Sequence, residues 1–86
     1  MDIKNYFNLI KTKNNLTSNR QLAKCLGISA TSIFHFERKN SIPCDDVILK
    51  IADLAGIDKR NAILDANIWR NAGNEEVIKI YESLKI

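Results

Sequence analysis

The sequence predicts an all-α fold of five or six short helices. Three observations carry that expectation. Apolar residues recur at the i, i+3, i+4, i+7 spacing of one buried helix face. Helix start and stop signals punctuate the chain at short intervals. One Pro and three Gly are too few turn formers for an all-β fold, and no strand alternation, internal repeat or low-complexity segment appears.

The first helix places Ile3, Tyr6, Phe7 and Ile10 on one face and fades in the polar run Thr12, Lys13, Asn14, Asn15. The second opens with a capping box. The Ser18 hydroxyl can accept from the Gln21 amide while the Gln21 side chain reaches back. Leu22, Ala23 and Leu26 are its buried stripe, and Gly27 ends it in a conformation open to glycine. Ile28 fills the turn and Ser29 caps the third helix. Ile33 and Phe36 anchor that helix, which leaves Thr31, Ser32, Phe34 and His35 facing elsewhere. Arg38, Lys39, Asn40 and Ser41 form a polar loop, and Pro43 marks the entry to helix four. Asp45 and Asp46 suit the positive end of that helix dipole. Val47, Ile48, Ile51, Ala52 and Ala55 form its stripe, and Gly56 closes it. Asp58 caps a fifth helix that buries Ala62, Ile63, Ala66 and Trp69. Gly73-Asn74 breaks the chain, and a sixth helix opens on Glu75 and Glu76 with Val77, Ile78, Tyr81 and Leu84 on one face.

At 86 residues, 45% hydrophobic and 27% charged, the chain has the composition of one soluble globular domain. Its charge is uneven. Residues 1–43 carry seven Lys/Arg against two acidic residues, and residues 44–86 carry six against eight. The first half therefore presents the positive field that an anionic partner feels. No apolar run is long enough for a membrane span. The Met1–Lys4 start lacks the pattern of a secretory signal, and the cytoplasm is the expected location. Cys25 and Cys44 are expected as reduced thiols in or near the core. With no Cys-x-x-Cys and one His, neither a metal nor any other cofactor is expected. Paired carboxylates, a nucleophile–base set and a phosphate loop are all missing, so no enzyme activity is expected.

The informative feature is Leu22, Ala23, Leu26, Gly27, Ile28 and Ser29, followed by Ile33, Phe36, Glu37 and Pro43. Small Ala23 lets two helices cross closely, Gly27 permits the sharp turn, and Ile28 plugs the crossing. In these residues the chain resembles the XRE-type helix-turn-helix family of phage lambda-type repressors and Cro proteins. The resemblance covers about residues 3–57 and implies a five-helix DNA-binding domain over 1–57. Residues 58–86 would then be a C-terminal helical extension that serves dimerisation through Ile63, Trp69, Val77, Ile78, Tyr81 and Leu84. The resemblance places the third helix in the major groove with Ala30, Thr31, Ser32, Phe34 and His35 as base-reading positions. Backbone phosphates would be met by Ser18, Asn19, Lys24, Arg38, Lys39, Asn40 and Ser41. Phe34 either packs on a thymine methyl or sugar, or is buried against helix one or four. The family usually has Gly where this chain has Lys39. Either Lys39 adopts the left-handed conformation with strain, or Asn40 takes it over.

The resulting expectation is a sequence-specific repressor of phage or plasmid type that binds double-stranded DNA as a homodimer. The alternatives are an antitoxin or accessory autoregulator that also binds a second protein, and a helical adaptor that does not bind nucleic acid.

Overall fold

A computed structural model describes residues 1–86, which form six α-helices and no strands. They are α1 (Ile3–Lys13), α2 (Asn19–Leu26), α3 (Ala30–Glu37), α4 (Asp45–Ala55), α5 (Lys59–Arg70) and α6 (Glu75–Leu84). None is long and apolar enough to cross a membrane.

Side-chain oxygens satisfy the free amides at most helix starts. Asp2 accepts from the Lys4 N–H, Ser18 from Gln21, Ser29 from Ser32, Asp58 from Asn61 and Asn74 from Val77. Cys44, at the start of α4, gives no side-chain cap. The capping box at α2 closes one residue early. Gln21 Oε1 accepts from the Thr17 N–H at 2.7 Å and from the Thr17 hydroxyl at 3.2 Å.

The helix ends share another device. At α2, the Gly27 N–H donates to Lys24 O and the Ile28 N–H to Ala23 O, with Gly27 at φ 70°. This is a Schellman closure, which needs one left-handed residue. The α4 end repeats it at Gly56, and the α3 end repeats it at Lys39. At α3 the Lys39 N–H donates to Phe36 O and the Asn40 N–H to His35 O, with Lys39 itself at φ 62°. Lys39, not Asn40, takes the left-handed place.

The core joins Ile3, Tyr6, Phe7 and Ile10 of α1 to Leu22, Ala23 and Leu26 of α2 and Ile33 of α3. From α4 it takes Ile48, Ile51, Ala52 and Ala55, and from α5 it takes Ala62 and Ala66. The expected boundary after residue 57 thus falls inside one continuous core. Ile28, Phe36, Val47, Ile63 and Trp69 are half-buried around it. Trp69 meets Tyr6 edge-on, with ring centroids 5.8 Å apart, and its Nε1 donates to Met1 O at 3.0 Å.

Asp65 is buried at the middle of α5, a placement the apolar pattern does not predict. It accepts a short hydrogen bond from the Tyr6 hydroxyl and pairs with Lys85 Nζ at 2.5 Å. The Met1 amino group lies 3.4 Å from it. Burial first, then the bond to Asp65, holds the Tyr6 hydroxyl well above the usual tyrosine range. The same carboxylate raises the Lys85 ammonium. The α6 helix packs on α5 alone and has no fully buried residue. Val77, Ile78 and Tyr81 are half-buried, whereas Ile80, Leu84 and Ile86 are 57%, 46% and 80% exposed. Leu84 therefore falls outside the packed face.

The cysteines are a correction to the sequence reading: both are exposed. Cys25 lies outside the Leu22, Ala23, Leu26 stripe, and Cys44 occupies the exposed residue before α4.

Candidate nucleic-acid interface

The α2 and α3 helices are eight residues each and are joined by Gly27, Ile28 and Ser29. Leu22, Ala23 and Leu26 of α2 and Ile33 of α3 are buried, so the opposite face of α3 points outward. Ala30, Thr31, Phe34, His35 and Arg38 are all exposed along that face. The helical period of 3.6 residues places them on one ridge. Ser32 stands off the ridge. It is half-buried, and its hydroxyl lies 2.9 Å from the Ser29 hydroxyl.

Of the two readings open for Phe34, burial is not adopted: its side chain is 49% exposed. The Arg38 guanidinium lies over its ring, 4.6 Å from the centroid. Such stacking restrains a long cation that would otherwise sample many rotamers. The His35 ring meets Phe34 edge-on at 5.6 Å. His35 Nδ1 is 3.4 Å from Asn40 Nδ2, so the loop after α3 touches the ridge.

The remaining polar candidates surround this ridge unevenly. Ser18 uses its oxygen as the α2 cap. Asn19 Nδ2 donates to Glu37 Oε1 at 3.0 Å, which occupies the one acidic group of α3. Lys24 is exposed on α2, and Asn40 and Ser41 are exposed after α3. Lys39 Nζ reaches Asp2 at 3.7 Å, but its side chain remains 76% exposed. Lys4 is a further cation beside this ridge that the sequence does not mark. It joins Asn19, Phe34, Glu37 and Arg38 around a shallow recess of about 210 Å³. No local signal marks it, because only the packing of α1 beside α2 and α3 brings it there.

The six residues assigned to pairing occupy different surroundings. Ile63 and Trp69 pack against the core, Val77, Ile78 and Tyr81 are half-buried, and Leu84 is exposed. The outward apolar residues Ile80 and Ile86 were not among them.

No family model, curated protein or solved structure matches this chain. Any functional reading therefore rests on its own residues and their arrangement.

Proposed function

We propose that this chain is a sequence-specific DNA-binding transcriptional regulator, a repressor of phage or plasmid type that reads a palindromic operator as a homodimer. The observation that carries the reading is the exposed α3 ridge of Ala30, Thr31, Phe34, His35 and Arg38, set on a helix whose other face is anchored by buried Ile33. A ridge of small, hydroxyl, aromatic and imidazole groups beside cations suits base edges flanked by phosphates.

In this reading α3 enters the major groove by its N-terminal end. Thr31 and His35 hydrogen-bond base edges, and Ala30 and Phe34 meet thymine methyls. Ser32 supports the helix start and lies near the first base contacted. Phosphates are held by Ser18, Asn19 and Lys24 on one side and by Arg38, Lys39, Asn40 and Ser41 on the other, with Lys4 added to the set. The role is binding, with no catalytic step and no cofactor. Residues 58–86 supply the pairing surface, and two-fold symmetry sets the two α3 helices about 34 Å apart.

A second reading draws on the outward residues Ile80, Leu84 and Ile86. If a different protein covers them, the chain is an antitoxin or accessory autoregulator that still binds DNA. The mass of the purified complex separates the two.

The reading is tested by duplex binding across a salt series. Lys39→Ala is expected to weaken all duplexes about equally and to flatten the slope of log K against log salt by about 0.9 per protomer. An unchanged slope removes Lys39 from the interface.

A further inference from the structure

Behind the end of α3 lies a cleft of about 490 Å³. Its apolar walls include Ile3, Phe36, Ile42, Pro43, Trp69 and Ile78. They come from α1, the end of α3 and the loop after it, the end of α5 and the start of α6. Hydrogen bonds fix this frame. Trp69 donates to Met1 O and also packs in a T-shaped contact with Tyr6. Arg70 Nη2 donates to Pro43 O at 2.9 Å and to Asp45 Oδ1 at 3.1 Å, which ties the end of α5 to the loop. A preformed, mainly apolar cleft of this size with few polar groups suits a small molecule.

The two charged side chains in the lining are Asp2 and Lys39, and the Met1 amino group is engaged by Asp65 at 3.4 Å. They are not equally free. Asp2 Oδ1 caps α1 through the Lys4 N–H at 2.9 Å. Its other oxygen holds Lys39 Nζ at 3.7 Å, a long contact in which the lysine stays largely exposed. Lys39 can therefore turn to a ligand while Asp2 remains the cap.

We propose that this cleft is an effector site for a small, mainly apolar molecule bearing one anionic group, which engages Lys39 and thereby opposes DNA binding. The effect on DNA rests on the reading above; occupancy of the cleft does not. Lys39 is in the proposed phosphate set and also lines the cleft, so one ammonium cannot serve both anions fully. Linkage requires the opposition to be mutual.

The probe is 8-anilinonaphthalene-1-sulfonate, with uncharged N-phenyl-1-naphthylamine as its partner. Trp69, the only tryptophan, reports occupancy through its fluorescence. Wild type is expected to bind one sulfonate probe per chain. Lys39→Gln should weaken the sulfonate by about fivefold or more, the loss of one charge-assisted contact, and leave the uncharged analogue nearly unchanged. Ala72→Phe fills the cleft from an exposed lining position. It should abolish saturable binding of both probes while keeping the wild-type circular dichroism. With duplex present, probe and DNA should weaken each other by the same factor. Unchanged probe binding in Ala72→Phe, or equal sulfonate binding in Lys39→Gln, overturns the proposal. Saturable probe binding that leaves duplex affinity untouched overturns its effector role. A chain that binds no duplex at any salt fails the DNA reading instead, and the first arm still decides the cleft.

Discussion

Lys39 holds φ 62° in the position of the α3 closure that Gly27 and Gly56 fill for α2 and α4. A side chain there carries a penalty of about 1–2 kcal/mol that glycine avoids. Lys39→Gly should therefore raise unfolding stability by about 1 kcal/mol, a gain of about 4–8 °C in Tm for a domain of this size. The same change removes a proposed phosphate cation, so duplex affinity should fall while stability rises. Denaturant unfolding and duplex titration on one sample test the opposition. Asp65 carries the other residue-scale expectation. Tyr6 and Lys85 hold their protons more tightly in the folded chain than in the unfolded one. Their contribution is complete below the unfolded pKa, about 10 for both groups, and is lost as pH rises above it. The unfolding free energy should stay level from neutral pH toward about pH 9 and then decline, with Tyr6→Phe lowering the plateau by about 2 kcal/mol and softening the alkaline decline. A decline that begins near neutral pH would contradict this. Nothing local marks Asp65 as buried, because its partners Tyr6 and Lys85 come from the two ends of the chain.

Each element from α1 to α6 was legible because its signals are local. Ser18 and Ser29 cap through neighbouring amides, and Gly27 and Gly56 close through bonds to the preceding turn. The stripes of Ile3, Tyr6, Phe7 and Ile10 and of Leu22, Ala23 and Leu26 are buried as periodicity requires. What periodicity cannot fix is the neighbour that each face meets. Phe34 had two open placements, and its exposure follows from the absence of a covering helix over the α3 ridge. Lys4 and the α5 contribution to the core depend on the same long-range packing. At this scale the α3 ridge makes its own prediction. Thr31→Ala should relax discrimination at one base pair per half-site by about 1–3 kcal/mol, with little change in stability, since Thr31 is exposed. Selection of bound sites with this variant should return the wild-type consensus with that single position degraded; an unchanged consensus removes Thr31 from base reading.

The whole molecule extends 37 × 25 × 18 Å with a radius of gyration of 12.7 Å. A compact chain of this length is expected near 12 Å, and α6, packed on α5 alone, accounts for the slight elongation. In the proposed dimer the α5–α6 end brings two copies together, and each core carries one α3 ridge. Pairing converts engagement of the second half-site into a tethered event at high effective concentration. The core that runs from α1 into α5 would hold each ridge rigidly to its own pairing surface, so half-site spacing should be narrowly defined. The most direct measurement is selection of bound duplexes from a random pool by the full chain, with the mass of the selected complex. It should yield a two-fold symmetric consensus with half-sites centred about 10 base pairs apart and two chains per duplex. Failure to enrich any sequence would contradict sequence-specific DNA binding, and a single unrepeated site bound by one chain would contradict the symmetric dimer.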